Sequence, residues 1–330
     1  MRDKLNIVFM GTPDFSVPCL HALAKSGHRV QAVFTQPDKP KGRGYKLIPT
    51  PVKAAAQAYG IPVYQPLSLR KGEDAARALE TLQALQPDLI VVVAYGQILP
   101  VEVLELPAFG CVNIHASLLP KYRGAAPIQW CILNGETETG VTSMQMAQGL
   151  DTGDMLLAES LSIGEEETSG QLHDRLSELG AKVLLETVAG ICQGTLTPVP
   201  QDDALSCYAS MIRKDMSRID FTKSAREIHN LIRGITGFAF LGGKRHKLLR
   251  SALSERTVDP ALAGTIVDAK DLTIACGDGH CIRILELQAE GGKRLKTEDF
   301  FAGEFHRKWD EIRNGGSLIC PLCIMDTALC

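Results

Sequence analysis

Residues 87–94 (PDLIVVVA) constrain the fold of this 330-residue chain more than any other stretch. An apolar run without the polar alternation of a half-exposed strand is typical of a central strand in a parallel sheet that is covered on both faces. Upstream, an apolar strand over residues 7–10, a helix that ends at Gly27 and a second strand over residues 30–35 repeat the order strand, helix, strand. That order predicts a mostly parallel sheet in an α/β domain.

The connection from the first strand to the first helix, residues 11–14 (GTPD), gives the domain a Rossmann-like beginning. It lacks the G-x-G-x-x-G spacing with which dinucleotide-binding folds hold a pyrophosphate. The sequence therefore predicts a Rossmann-like N-terminal domain and argues against a nicotinamide-dependent enzyme. Further along, the pattern predicts helices over residues 51–59 and around residues 79–85, with a short strand over residues 61–64 between them.

Two polar side chains share one face of a later strand, residues 111–115 (CVNIH). Because side chains alternate along a strand, Asn113 and His115 project together while their apolar neighbours point the other way. The strand leads into a loop punctuated by Pro120, so the pair is expected near the carboxyl end of a parallel strand, where open α/β sheets bind ligands. An amide can stabilise an oxyanion and an imidazole can move a proton, which acyl transfer to an amine requires.

A carboxylate is available downstream, in residues 149–154 (GLDTGD). Asp151 lies between two glycines, on a loop flexible enough to reach the imidazole of His115 and orient it. An Asn-x-His pair alone is more often structural than catalytic, and it is the Asp151 loop that favours catalysis. Asn113, His115 and Asp151 are therefore the predicted catalytic residues.

These motifs carry a family resemblance. The Asn113-x-His115 pair, the run after it (SLLPKYRG, residues 117–124) and the Gly-Leu-Asp-Thr-Gly loop are similar to the signature of the folate-dependent formyltransferases, and within that family to the branch that formylates methionyl-tRNA. The similarity extends from about Ile7 to Phe305. It implies transfer of the formyl group of 10-formyltetrahydrofolate, as cosubstrate, to the α-amino group of methionyl initiator tRNA for translation initiation.

The resemblance also implies which loops bind the folate. The loop after the 87–94 strand and the loop after His115 are expected to hold the pterin through backbone groups and apolar contacts. For the first loop, the alternative is an ordinary strand exit. No metal is predicted, since this chemistry needs none. The predicted folate-binding residues are Tyr95, Gly96, Gln97, Ile98, Leu99, Ser117, Leu118, Leu119 and Pro120.

Residues 36–53 form a basic, glycine- and proline-bearing segment that is too long for an ordinary strand-to-helix loop. Cations around a single aromatic residue suit phosphates and stacking on an unpaired base, although a solvated loop explains the composition equally well. The resemblance implies contact with the acceptor end of the initiator tRNA, with Arg43 at the matching position. The predicted tRNA-binding residues of this segment are Lys39, Lys41, Arg43 and Lys46.

The chain is long for one domain and comfortable for two. A capping box formed by Thr168 and Gln171 predicts the start of a long helix that runs through Cys192. This helix is predicted to close a catalytic domain of residues 1–193. The following residues 194–210 contain prolines and polar residues without periodicity, and they are predicted to be an interdomain linker.

Residues 211–314 are predicted to form a smaller, tRNA-binding domain. Short strands with turn signals, including a hairpin at residues 277–279, favour a β-barrel of OB type, a fold that often binds nucleic acid. Residues 315–330 form a tail without an assigned role. Two basic runs add phosphate-binding candidates to this domain, although basic runs are usually only solvated surface, and the residues are Lys244, Arg245, Lys247, Lys293 and Arg294.

The similarity to the family fails locally at residues 234–240 (GITGFAF). The enzymes that formylate methionyl-tRNA typically carry an Asn-Pro-Trp-Pro segment after the preceding helix. The resemblance therefore gives no expectation for the structure after Arg233.

Ten cysteines are spread along the chain. Most lie in apolar segments and are predicted to be buried, reduced thiols, namely Cys19, Cys111, Cys131 and Cys192. The cluster of Cys320, Cys323 and Cys330 contains only one C-x-x-C pair, which is half of a zinc site and does not predict metal binding.

Composition sets broader limits. With 45% hydrophobic and 22% charged residues, the chain can bury a sizeable core. Residues 1–209 contain 16 basic and 22 acidic side chains, whereas residues 210–330 contain 19 and 16, which favours an anionic partner for the C-terminal part. No apolar segment suits a signal peptide or a membrane span, so a cytoplasmic monomer without a membrane partner is expected.

Two other functions remain compatible with these residues. A formyltransferase that acts on a small amine, such as an amino-sugar nucleotide or glycinamide ribonucleotide, would use the same catalytic groups. The basic segment and the second domain favour RNA, and the phosphate loop of glycinamide ribonucleotide enzymes differs from residues 11–14. A non-catalytic RNA-binding protein is the third possibility, but RNA binding does not require Asn113, His115 and Asp151 together.

Overall fold

The computed structural model describes residues 4–41, 46–241 and 243–301 of the chain. Within these ranges the chain forms two compact units. The first takes its residues from Met1–Pro127, Glu138–Ser162 and Leu172–Ser210, and the second from Ile128–Thr137, Ile163–Gln171 and the chain from Met211 onward.

The regular elements of the first unit alternate between strands and helices. Its strands are β1 (Asn6–Gly11), β2 (Arg29–Phe34), β3 (Lys39–Lys41), β4 (Lys46–Ile48), β5 (Val63–Tyr64), β6 (Leu89–Val93), β7 (Cys111–His115), β8 (Arg123–Gly124), β9 (Glu138–Gln145), β10 (Met155–Ser162) and β11 (Tyr208–Ala209). Its helices are α1 (Val17–Lys25), α2 (Pro51–Ala58), α3 (Gly72–Leu85) and α4 (Val101–Leu104). Helix α5 (Pro127–Leu133) belongs to the second unit except for Pro127, and α6 (Ser169–Gln193) belongs to the first unit except for its first three residues.

Seven strands of the first unit form one sheet in the order β10, β9, β7, β6, β1, β2, β5. The pairs from β7 to β5 are parallel, and β9 and β10 complete the sheet antiparallel. All five residues of β6 are buried, as an unbroken apolar run in a central strand requires. The predicted mostly parallel sheet is therefore confirmed.

The sheet brings the carboxyl ends of β1, β6 and β7 to one edge. β6 lies between the other two and pairs with both in parallel, with Val92 opposite Asn113. Because parallel strands end on the same side, the loops after Gly11, Val93 and His115 begin next to one another. This edge is where the sequence predicted the functional site.

Regular elements lie in the described parts of residues 36–53, a segment that was predicted as a long loop. Lys39–Lys41 and Lys46–Ile48 pair as an antiparallel hairpin, and α2 begins at Pro51 with the Thr50 hydroxyl accepting from the amide of Lys53. Side chains also join the two ends of the segment, since Lys53 Nζ donates to Asp38 Oδ2 at 2.6 Å and to Gln65 Oε1 at 2.7 Å. The glycine and proline content hid these short strands.

The residues that follow α6 make specific contacts with the first unit. Val199 forms an isolated antiparallel bridge with Met155. Further on, β11 pairs in parallel with β8, so that Tyr208 lies opposite Arg123. The stretch predicted as a linker is therefore hydrogen-bonded to the loops of the first unit over much of its length.

The second unit is built on an antiparallel sheet. Its elements are α7 (Ala225–Ile235), β12 (Gly237–Leu241), β13 (Lys244–Thr257), β14 (Ile266–Asp268), β15 (Thr273–Ala275), β16 (His280–Ala289), β17 (Arg294–Lys296) and α8 (Thr297–Phe301). The strand order is β12, β13, β16, β15, β14, with β17 also paired to β16. The sheet is curled into a half-barrel, and the predicted hairpin at residues 277–279 joins β15 to β16.

Helix α7 packs against this sheet through one apolar face. Ala225, Ile228 and Ile232 lie in a core cluster with residues from every strand except β17. The predicted cap at the start of α6 is present, since Thr168 exchanges hydrogen bonds with Gln171, and a second capping box, which was not predicted, is formed by Ser224 and Glu227 at the start of α7. Both helices therefore begin where their side chains satisfy otherwise unpaired amides.

The segment that departs from the family pattern, residues 234–240, forms the end of α7 and most of β12. A Cβ at Gly237 would lie 2.6–2.8 Å from side-chain atoms of Ile219 and Leu231, so the glycine lets these two side chains pack directly against the strand. Within this segment the helix therefore connects directly to the strand.

Three of the four apolar-segment cysteines are buried as predicted, and Cys192 is only half-buried because it lies in the last turn of α6. Burial raises the pKa of the Cys111 thiol to about 12. The cluster of Cys320, Cys323 and Cys330 lies outside the described residues. Over the ranges that are described, no helix is long and apolar enough to cross a membrane.

Candidate active site

The end of β7 presents the predicted amide and imidazole. Asn113 is 9% exposed and His115 is 6% exposed, so both polar side chains are almost enclosed. Nε2 of His115 lies 2.9 Å from the carbonyl oxygen of Tyr122. Because a carbonyl can only accept, Nε2 is the donor in this bond. The loop after the strand therefore fixes the ring orientation.

Asp151 meets both of these side chains. Its Oδ2 lies 3.7 Å from Nδ1 of His115, within ion-pair range, and its Oδ1 accepts from Nδ2 of Asn113 at 3.5 Å. The stronger bond to this carboxylate comes from the backbone, since the amide of Gly124 donates to Oδ2 at 2.8 Å. The structure thus brings together three residues that are up to 38 positions apart in the sequence.

Two backbone features allow this approach. Asp151 has a φ of +52°, a left-handed conformation that is uncommon for a residue with a side chain. Gly124 has a φ of +114°, and a Cβ at that position would lie 2.8 Å from the carbonyl oxygen of Ala209. A glycine is therefore required where β8 runs beside β11 and donates to Asp151.

The first loop predicted to bind folate, after β6, is held by polar contacts from its neighbours. Thr12 Oγ1 and Gln36 Nε2 both donate to the carbonyl oxygen of Tyr95, at 2.8 and 3.3 Å. The Tyr95 ring is buried, and its hydroxyl has no hydrogen-bond partner among the described residues. Burial raises the pKa of this phenol above its usual range.

Within the same loop, the Gln97 side chain is already used internally. It accepts from the amide of Leu69 and donates to the carbonyl of Pro66, both at 2.9 Å, and so braces a neighbouring turn. Gly96 has a φ of +83°, Leu99 is buried, and Ile98 is 63% exposed. Backbone groups and the Ile98 side chain are thus the parts of this loop that are open to a ligand.

The second predicted folate loop, after His115, is largely internal. Ser117 Oγ donates to the carbonyl of Lys121 at 2.7 Å, and the amide of Leu119 donates to Thr142 Oγ1 at 3.1 Å. Ser117 and Leu119 are buried, whereas Leu118 and Pro120 are partly exposed. The bonds of Ser117 and Leu119 shape the loop, which leaves Leu118 and Pro120 as its accessible apolar surface.

The site contains residues that sequence reasoning missed. Gln201 Nε2 donates to the carbonyl oxygens of Asp151 and Gly153, at 2.9 and 2.7 Å, and its Oε1 accepts from Arg123 Nε at 2.9 Å. Outside the site, Arg123 also pairs with the solvent-exposed carboxylate of Asp203 at 2.8 Å. Gln201 and Arg123 are far apart in the sequence, so no local pattern linked them to Asp151. Gln201 lies in the Pro-Val-Pro-Gln segment, which was predicted only as a linker.

The basic residues predicted to bind tRNA differ in their exposure and in whether they already have a partner within the protein. In the hairpin, Lys39 is exposed, Lys41 and Lys46 belong to β3 and β4, and Arg43 lies outside the described residues. In the second unit, Arg294 is paired with Glu286, and the Arg245 guanidinium lies 4.0 Å from the centre of the Phe238 ring.

The two C-terminal basic runs meet on the second unit's sheet. Lys247 lies opposite Gln288 on β16, and Gln288 lies opposite Arg294 on β17, so a single strand separates the runs. Lys244, Lys247 and Lys293 are exposed and have no ion-pair partner within the described ranges. These three lysines are the C-terminal cations most open to phosphates, and phosphate contact by any of the five residues stays a prediction. Among the described residues there is no cluster of three or more metal-ligating side chains.

An enclosed amide, imidazole and carboxylate at the carboxyl edge of a mostly parallel sheet are the groups of an acyl-transfer enzyme. Comparison with known proteins gives the same class. Residues 5–188 match the family model described as formyl transferase, and residues 211–304 match the one described as formyl transferase, C-terminal domain. The chain belongs to the formyl transferase family.

Individual relatives are more specific. A methionyl-tRNA formyltransferase of Geobacter metallireducens is 53% identical over 304 residues, covering 91% of this chain and 96% of that protein. One from Alkaliphilus oremlandii is 49% identical, with the same coverage. Among solved structures, an N-formyltransferase of Helicobacter canadensis in complex with folinic acid and dTDP-3-aminofucose superposes with a TM-score of 0.64 at 23% identity, over 85% of this chain and 98% of the other. At this identity, the similarity to the Helicobacter canadensis enzyme shows a shared fold.

Proposed function

We propose that this protein transfers the formyl group of 10-formyltetrahydrofolate to the α-amino group of methionyl initiator tRNA. The observation that carries the proposal is the match to methionyl-tRNA formyltransferases at about half identity along 91% of the chain, both units included. The enclosed Asn113, His115 and Asp151 supply groups for the chemistry. The products are N-formylmethionyl-tRNA and tetrahydrofolate.

The attacking amine needs little activation. An α-amino group has a pKa of about 8 in model compounds, so a sizeable fraction is neutral near pH 7. Its lone pair forms a bond to the formyl carbon while the carbonyl electrons move to oxygen. The Asn113 amide donates to this oxyanion, because among the described residues its hydrogens have no partner apart from a long contact to Asp151.

The tetrahedral intermediate then loses a proton from the former amine and breaks its bond to the folate nitrogen, which must gain a proton. His115 can relay this proton through Nδ1, because Nε2 is already committed to Tyr122. The Asp151 carboxylate lies beside Nδ1 and stabilises the ring while it is charged. No external acid is needed, because the proton that the attacking amine loses is the one that the departing folate nitrogen gains.

The substrates would be held on both sides of this centre. We assign the pterin to the two loops after β6 and β7, from Tyr95 to Leu99 and from Ser117 to Pro120, with contacts from backbone groups, Ile98 and Leu118. We assign the tRNA to the hairpin residues Lys39, Lys41, Arg43 and Lys46 and to Lys244, Arg245, Lys247, Lys293 and Arg294, the exposed lysines contributing most.

We further propose residues 1–193 as the catalytic domain, 194–210 as the connection, 211–314 as the tRNA-binding domain and 315–330 as a tail. The family-model matches at residues 5–188 and 211–304 support this division. Residues 194–210 would connect the domains while also supporting the active site, because they are bonded to its loops. The protein would act as a cytoplasmic monomer, which sedimentation of the purified chain checks.

The rival substrate is a small amine, since sugar N-formyltransferases share the fold. Formyl transfer from 10-formyltetrahydrofolate to methionyl initiator tRNA and to an amino-sugar nucleotide, measured across a salt series, separates the two. We expect product only with tRNA and a steep loss of kcat/KM as salt rises, because phosphate contacts are salt-dependent. Product with the sugar alone would overturn the tRNA assignment, and folate binding without any product would favour a non-catalytic RNA-binding protein.

A variant series tests the tRNA contacts separately. Neutralising Lys41, Arg43 and Lys46 together should weaken tRNA binding and flatten the salt dependence, while the rate at saturating tRNA stays near that of the wild type. An unchanged salt slope would remove the hairpin from the tRNA interface.

A further inference from the structure

The carboxamide of Gln201 joins the two loops that hold the catalytic carboxylate. Its nitrogen uses both hydrogens, one for the carbonyl of Asp151 at 2.9 Å and one for the carbonyl of Gly153 at 2.7 Å. Its oxygen accepts from Arg123 Nε at 2.9 Å. Both polar atoms of this side chain are therefore committed to residues of the active-site loops, and the nitrogen also lies 4.0 Å from the sulfur of Met144 on β9.

These hydrogen bonds hold Asp151 both directly, at its backbone, and indirectly, through Arg123. Arg123 is followed by Gly124, whose amide donates to the Asp151 carboxylate at 2.8 Å. Gln201 therefore holds the backbone of Asp151 and, through Arg123, the strand that holds its side chain. The pairing of β8 with β11 carries the same connection on to Tyr208.

The Asp151 loop needs such support. Its backbone is left-handed at Asp151, a conformation that a residue with a side chain avoids unless its surroundings impose it. Gly153 passes so close to Gln145 that a Cβ would lie 1.7 Å from the Gln145 carbonyl oxygen. The loop is thus strained on one side and tightly packed on the other, and Gln201 bonds to both of these points.

We propose that Gln201 is a positioning residue for catalysis: it fixes the Asp151 loop so that the carboxylate stays beside His115. The proposal rests on the proposed formyl transfer. Gln201 itself touches neither the imidazole nor the Asn113 amide in any contact the structure describes. Its loss should therefore lower kcat and leave substrate binding, reported by KM, largely unchanged, because misplacing a catalytic group by about 1 Å costs on the order of a hundred-fold in rate.

Two substitutions distinguish the role of the Gln201 nitrogen from that of its oxygen. Q201M keeps the length of the side chain and removes all its hydrogen bonds. Q201E keeps the oxygen that accepts from Arg123 but turns a second, unprotonated oxygen towards two carbonyls, so that the donors to Asp151 and Gly153 are lost. If Gln201 only anchored Arg123, Q201E would behave as the wild type. The proposal requires Q201E to be as impaired as Q201M.

The matched control is D203A. Asp203 is the other partner of Arg123 and is strongly exposed, and no described contact links its side chain to Asp151. For wild type, Q201M, Q201E and D203A, kcat and KM are obtained by varying 10-formyltetrahydrofolate or methionyl-tRNA while the other substrate is saturating. Amide hydrogen exchange of the peptide that contains residues 149–154 is followed in the same proteins without substrate.

We expect both Gln201 variants to lose roughly ten- to a hundred-fold in kcat at similar KM, with faster exchange in residues 149–154, while D203A matches the wild type on both measures. Wild-type kcat and exchange in Q201E would overturn the proposal, even if Q201M failed to fold. A wild-type protein that forms no product would contradict the proposed function instead, and the exchange experiment would still decide whether Gln201 holds the loop.

Discussion

Replacing Asn113 by alanine removes the amide that we assign to the oxyanion. In the structure this side chain is 9% exposed and its nitrogen meets Asp151 Oδ1 at 3.5 Å, the outer limit of a hydrogen bond. Such a long contact contributes little to folding. The variant should therefore fold normally, and its main defect should concern the transition state.

The size of the defect follows from the number of donors. Asn113 is the one side chain that we assign as a donor to the oxyanion, while His115 relays the proton through Nδ1, so the variant loses this donor and keeps the proton relay. Losing one such donor costs roughly a hundred- to a thousand-fold in kcat, or about 2.7–4 kcal/mol of transition-state stabilisation. KM for both substrates should change little, because the donor acts on charge that develops only during the reaction.

Single-turnover formylation of methionyl-tRNA with enzyme in excess measures this step without product release. Ile114→Val is the matched control, because Ile114 neighbours Asn113 on β7 and is buried on the opposite face. It should cost about 0.5–1.5 kcal/mol of unfolding free energy and leave the single-turnover rate unchanged. A near-normal rate in Asn113→Ala, or an equal loss in Ile114→Val, would refute the assigned role.

Three further predictions concern charge. Hydrogen bonds from Lys53 and Gln65 lower the pKa of the Asp38 carboxyl. The wild type should therefore lose stability relative to Asp38→Asn as the pH falls below about 4. Acid unfolding of both proteins, followed by circular dichroism, checks this. Burial lowers the pKa of His229, so the unfolded ring gains a proton at a higher pH than the folded one. The protein should therefore become less stable as the pH falls through about 6.5. His229→Gln should make Tm less dependent on pH in that range. Converting Lys244 and Lys293 to glutamine should weaken tRNA binding and reduce its salt dependence by about one counterion per lost phosphate contact, and an unchanged salt slope would count against those contacts.

Much of the first unit follows from local pattern. The apolar run of β6 determines a central strand because its residues can be buried only between two helical layers. Alternation along β7 puts Asn113 and His115 on one face, and the glycines around Asp151 permit its backbone conformation. These signals are short-range, so a single sequence reveals them.

The remaining features depend on long-range contacts. Gln201 reaches Asp151 across 50 residues, and nothing in Pro-Val-Pro-Gln distinguishes a structural support from a linker. The basic runs were visible, but pairing of Arg294 with Glu286 and stacking of Arg245 on Phe238 were not, because they arise from strand register. Short β3 and β4 were missed since their three-residue strands have no measurable periodicity.

The central claim is that Asn113, His115 and Asp151 act together to move a formyl group from folate to the amine of methionyl-tRNA. Formyl donor labelled with ¹³C at the transferred carbon, incubated with purified protein and methionyl initiator tRNA, tests it directly by mass spectrometry of the aminoacyl end. The account predicts labelled N-formylmethionine with the wild type and almost none with His115→Ala. Label on a small amine only, or undiminished label with His115→Ala, would contradict it.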